Sequence, residues 1–141
     1  RGFEDAEENG FYRAAVDYLL YTVRCYFLMY VEDPSDKGYI VRMEDHLQIT
    51  EEWLEKHSFL DDQYRADYWY FYCLLLQLKG EDTENALKKA SYFSGRVNET
   101  SKYKKLKALL RNLEKIGASG SKIGNLDLEI GNFYNMIVSF C

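Results

Sequence analysis

Tyr68-Trp69-Tyr70-Phe71-Tyr72-Cys73-Leu74-Leu75-Leu76 is an unbroken aromatic and aliphatic run, followed by Gln77 and Leu78 before Gly80 ends the pattern. No face of a helix built from this stretch is polar, so it must be covered by other elements on more than one side. It is far short of the roughly 20 residues that a membrane-spanning helix needs. The other apolar segment, early in the chain, is interrupted by Arg24, and no membrane span is expected. The run therefore predicts a central helix over about 62–79. A chain of 141 residues has enough length to build a core around it without metal or disulfide support.

The rest of the sequence supplies that cover. Residues 6–31 read as one long helix, or as a short capped turn feeding one, with Phe11, Ala15, Tyr18, Leu19, Thr22, Cys25, Tyr26 and Met29 at three- and four-residue spacing. Residues 32–38 hold the only Pro and one of the nine Gly, which predicts a turn. A second helix, about 39–57, places Ile40, Met43, Leu47, Ile49, Trp53 and Leu54 on one side with acidic residues around the remainder. After Gly80, Asp82 or Thr83 can cap a fourth helix running to about Gly95, with Ala86, Leu87, Ala90 and Phe93 inward. A fifth begins within 98–101, with Leu106, Leu109, Leu110, Leu113 and Ile116 as its apolar stripe. Strand-like alternation is absent. The expected class is all-α, built from antiparallel helical hairpins joined by short connections.

Charge is divided along the chain. Residues 1–64 carry six basic and fifteen acidic side chains, whereas 65–116 carry eleven and six. The expectation is that acidic early helices and basic later ones face one another or face solvent. Cys25, Cys73 and Cys141 are far apart, odd in number and lack CxxC spacing, so reduced thiols and an intracellular setting are expected. Asn98-Glu99-Thr100 matches a glycosylation acceptor pattern, which has meaning only in a secreted chain.

Asn9-Gly10-Phe11-Tyr12-Arg13-Ala14-Ala15 resembles the turn and second helix of a tetratricopeptide repeat. Trp69, Tyr72, Cys73 and Leu76 resemble that family's first-helix positions, with Gly80 at its turn; Ala86 and Ala90 fall one insertion away from its small positions, and the closing Pro is missing. The similarity is degenerate and covers about two helical hairpins within 9–96. It implies an α-solenoid-like stack whose concave face receives a peptide.

Composition changes abruptly at Gly117-Ala118-Ser119-Gly120-Ser121, which resembles an engineered flexible linker. The expected organisation is a helical domain over 1–116, a linker over 117–121 and an amphipathic binding segment over 122–141, drawn from a partner protein or a distant part of the same one. Ten of the last sixteen residues are apolar, and Leu126, Ile130, Phe133, Tyr134, Ile137 and Phe140 recur at mainly helical steps. Ile130, Phe133, Tyr134, Ile137 and Phe140 are the expected anchors. Tyr68, Tyr72 and Leu75 of the third helix, with Leu106 and Leu110 of the fifth, are the expected receiving surface.

Residues that would carry catalysis are not identifiable. Gly117–Lys122 lacks the Gly-Lys-Ser/Thr order of a phosphate loop. His46 and His57 lie eleven residues apart, unlike the short spacing of metal ligands on one helix, and read as surface histidines. Glu51-Glu52 and Asp61-Asp62 lie in polar runs. No cofactor or metal is expected. The expected function is a non-enzymatic interaction scaffold that binds a short amphipathic helix. The competing readings are a nucleic-acid adaptor using Lys104, Lys105, Lys107, Arg111 and Lys115, and a homo-oligomerisation domain whose tail packs on a neighbouring chain.

Overall fold

A computed structural model describes residues 2–119, 139 and 140, with side-chain placement for 8–114, 139 and 140. Within residues 2–119, five α-helices follow one another: α1 (Gly2–Glu32), α2 (Gly38–Lys56), α3 (Asp62–Leu78), α4 (Glu84–Arg96) and α5 (Thr100–Ser119). The described residues contain no strand. The all-α expectation is correct, and the helices pack as hairpins: α1 against α2, α3 against α4, and α5 against both α3 and α4. The helix α3 also touches α1 and α2.

The turns have local causes. Between α1 and α2, Ser35 donates to the Asp33 carboxylate at 2.5 Å, and the Gly38 N–H donates to Asp36 Oδ1 at 2.9 Å. A Cβ at Gly38 would meet that same oxygen at 2.9 Å, so a side chain there would push the Asp36 carboxylate aside. Gly80 closes α3 with φ +74°. Its N–H reaches Gln77 O at 3.1 Å and the Glu81 N–H reaches Leu76 O at 2.9 Å, the paired bonds of a left-handed helix stop. Asn98, φ +57°, performs the same office after α4, with the Glu99 N–H donating to Ser94 O at 2.8 Å.

The core runs through Val16, Val23 and Phe27 of α1, Met43 and Leu47 of α2, Tyr70, Leu74 and Leu75 of α3, and Leu106 and Leu109 of α5, all essentially without solvent contact. Ala86, Ala90 and Ser94 form a buried small-residue ridge that lets α4 approach closely. Two details differ from the sequence reading. The inward face of α1 is carried by Val16, Leu19, Leu20, Val23, Phe27 and Val31, while Phe11, Tyr18 and Met29 are exposed. The helix α5 also continues to Ser119, past the expected boundary at Ile116 and into the first three positions of the expected linker.

Candidate functional site

Three helices meet at a cleft of about 180 Å³ that opens to solvent. The middle of α3 supplies Asp67, Tyr70 and Phe71, α1 supplies Asp17, Leu20, Tyr21 and Arg24, and α5 supplies Lys102, with Phe140 completing the wall. The left-handed turn at Asn98 aims this corner. It sets Glu99 and Lys102, at the start of α5, over the side of α3 that carries Gln63, Asp67 and Tyr70.

Glu99 and Gln63 form the hub. Gln63 Nε2 donates to Glu99 Oε1 at 2.9 Å and to Asp67 Oδ1 at 3.2 Å, and the buried Tyr70 hydroxyl donates to Glu99 Oε1 at 3.1 Å. Lys102 Nζ stands 3.9 Å from Asp67 Oδ1 and 5.3 Å from the centroids of both the Tyr70 and Phe140 rings. Burial pushes the Asp67 carboxyl up to about 6, with Glu99 and Asp17 adding to the rise and Lys102 and Gln63 opposing it. Burial, then the Glu99 carboxylate, raises the Tyr70 phenol above its ordinary value. Asp17 accepts the Tyr64 hydroxyl at 3.3 Å.

Arg24 differs from these neighbours. Its Nε is buried with no hydrogen-bond acceptor, and its guanidinium lies 5.8 Å from the exposed Tyr21 ring. Phe140, in turn, is only 3% exposed and meets Tyr70 edge-on at 5.7 Å. Beside it Lys105 Nζ reaches Ser139 Oγ at 3.5 Å.

Of the expected anchors, Phe140 is thus seated against α3 and α5; Ile130, Phe133, Tyr134 and Ile137 lie outside the described residues. The expected receiving residues Tyr68, Leu75, Leu106 and Leu110 belong to the same buried cluster as Phe140, and Tyr72 packs against it. Tyr68 is buried toward α2, its hydroxyl donating to Glu51 at 3.1 Å and its ring stacked on the partly buried Tyr72 at 5.7 Å. Leu75, Leu106 and Leu110 belong to the interior core. Among the expected basic residues, Lys104, Lys105, Lys107 and Arg111 are exposed, and the Lys115 side chain lies outside the described set.

The histidines are partly buried rather than on the surface. His57 stacks on Tyr12 at 3.9 Å, and His46 meets Tyr26 edge-on at 5.3 Å. Burial pushes the Cys73 thiol up to about 12, so this cysteine behaves as an apolar core residue. Among the described residues, no three His, Cys, Asp or Glu side chains are grouped to hold a metal, and no helix is long and apolar enough to cross a membrane. Asn9 and Gly10, the turn of the repeat resemblance, lie inside the continuous α1.

Asp17, Arg24, Asp67, Glu99 and Lys102 escaped the sequence reading as a group. Part of the signal was available: Lys102 stands four residues before Leu106 on the α5 stripe, Asp67 directly precedes the apolar run, and Arg24 interrupts an apolar helix. Charges placed in apolar register mark a buried polar junction. Comparison with protein-family models, curated proteins and solved structures finds no match to this chain.

Proposed function

We propose that the chain is a non-enzymatic, intracellular interaction domain, a tetratricopeptide-like helical stack, that receives an amphipathic helical segment, with residues 122–141 as that segment joined to its receptor. The observation that carries this reading is Phe140: it is buried against Tyr70 of α3 and Lys102 of α5, beyond the change of composition at Gly117. Full burial of a phenylalanine contributes about 2 to 3 kcal/mol, and a ring flanked by an aromatic edge and an ammonium has the character of an interface anchor. In this reading the receiver is the α1–α3–α5 corner.

The test keeps the whole chain. A protease site inserted within 117–121 is cut after folding, and the two pieces are followed on dilution by fluorescence anisotropy of a label at residue 122. Reversible separation with the larger piece still folded, weakened at least tenfold by Phe140→Ala, supports the proposal. Loss of the larger piece's fold on separation, or identical behaviour of the Phe140→Ala chain, overturns it in favour of an ordinary core helix.

A further inference from the structure

Helix α1 has two apolar sides. Val16, Leu20, Val23 and Phe27 are buried in the core. On the opposite side stand Phe11, Ala15, Tyr18, Thr22, Cys25 and Met29, the stripe whose spacing predicted this helix. It holds no charged residue and runs for about 27 Å at the α-helical rise. Phe11, Tyr18 and Met29, with the adjacent Tyr21, are 46 to 67% exposed, so no described helix covers them. The remaining large apolar side chains exposed among the described residues, Val41, Ile49 and Tyr92, are on α2 and α4 and make no comparable stripe. Thr22 Oγ1 donates to Tyr18 O at 2.8 Å, so the one hydroxyl at the middle of the stripe is satisfied within its own helix and tolerates a dry neighbour. A continuous exposed face rich in aromatic residues and Met marks an interaction surface.

We propose that this stripe is a self-association surface that takes a second copy of the chain, with the two α1 helices antiparallel. The spacing is the same read in either direction, in steps of four, three, four, three and four residues. A two-fold axis at the level of Leu20 therefore sets Phe11 against the partner's Met29, Ala15 against the partner's Cys25 and Tyr18 against the partner's Thr22, each contact being made twice. Charge selects the same arrangement. Asp17 and Arg24 lie seven residues apart along one edge of the stripe, whereas the other edge carries Leu19 and Tyr26. Antiparallel helices meet with like edges together, which brings each Asp17 within one residue of the level of the partner's Arg24. A parallel pair would set both charges beside the apolar edge. Self-complementary spacing and opposite charges on one edge are what a second copy requires, and an unrelated partner requires neither. The surface does not depend on whether residues 122–141 come from another protein. A seam one helix wide is a small interface, so a dissociation constant of roughly 10 to 300 μM is expected.

Sedimentation equilibrium of the intact, reduced chain at about 5 to 500 μM tests the proposal. Expected is a reversible monomer–dimer equilibrium, weakened at least tenfold by Tyr18→Glu and about threefold by Asp17→Arg, and unchanged by Val41→Glu on the exposed side of α2. Circular dichroism checks that each variant is folded. Mild oxidation then reads the register in a Cys141→Ser background. Ala15→Cys is expected to give a covalent dimer through Cys25 of the partner subunit. The chain that keeps Ala15 is expected to stay unlinked, because the antiparallel register holds the two Cys25 levels about 15 Å apart along the axis. A chain still monomeric at 500 μM, as when its own 122–138 segment or a different protein takes the stripe, overturns the proposal. So does a dimer that folded Tyr18→Glu leaves unmoved, as a pair exchanging tails would be, or Cys25 self-linking as fast as the Ala15→Cys chain, which is the parallel result. Loss of this dimer leaves the cut-chain experiment unmoved, so the two proposals fail separately.

Discussion

At Asp67 burial and the nearby Glu99 and Asp17 disfavour the ionised carboxyl more than Lys102 and Gln63 favour it, which holds its folded value near 6 against an ordinary 3.8. Between these two values the folded chain keeps a proton that the unfolded chain releases. Stability therefore falls as pH rises through that window, and the full penalty stands above about pH 6. Asp67→Asn is expected to raise stability by about 1 to 3 kcal/mol at pH 7.5 and by little at pH 4, measured by urea unfolding at both values. Glu99 carries a different load, because it is the acceptor for a nearly inaccessible Tyr70 hydroxyl. Glu99→Ala is expected to cost about 1 to 3 kcal/mol, and Tyr70→Phe in the same chain to recover part of it, a coupling that a double-mutant cycle measures. These residues were the least legible in the sequence. A charge inside an apolar pattern reads as an interruption until a second element is known to bring its partner, and the partners here lie 29 to 47 positions away.

The two left-handed helix stops behave differently under substitution. Around Gly80 there is open space for a Cβ, so Gly80→Ala meets only the conformational penalty of φ +74° and is expected to lose about 1 kcal/mol. Asn98→Gly relieves the same penalty at the α4 stop and is expected to be neutral or slightly stabilising; thermal melts of the two variants check both signs. Gly10 also has open space around it, but inside α1, so Gly10→Ala is expected to stabilise by about 0.5 to 1 kcal/mol. A repeat-type glycine needed for close helix approach would show the opposite sign. Helix existence was legible from the sequence nearly everywhere, and the stop at Gly80 was read correctly. The face of α1 was not, because apolar residues stand on both its sides: Val16, Leu20 and Phe27 point inward, while Phe11 and Tyr18 are 63% and 67% exposed. Periodicity cannot choose between two apolar stripes on one helix; the packing of α2 and α3 does.

Across the molecule, the division of charge seen in the sequence appears in part as ion pairs between helices: Lys79 with Glu44 at 2.9 Å and Arg96 with Asp62 at 2.7 Å. Both are exposed and contribute little, so the fold rests on its apolar interior. The all-α class was legible because the chain offers only helical periods and short turns. The cleft was not, since it exists only where α1, α3 and α5 converge, and convergence is a property of the packed assembly. At this scale α3 has a consequence for how the chain comes apart. It touches each of the other four helices, so the α1–α2 hairpin and the α4–α5 pair share it as a common wall. Neither half can shed α3 without exposing the side the other half needs. In native-state hydrogen exchange the amides of Tyr70, Leu74 and Leu75 should therefore open only with global unfolding, while those near the α1 N-terminus exchange by fraying. Exchange of these α3 amides at a free energy below that of global unfolding would overturn the shared-wall reading.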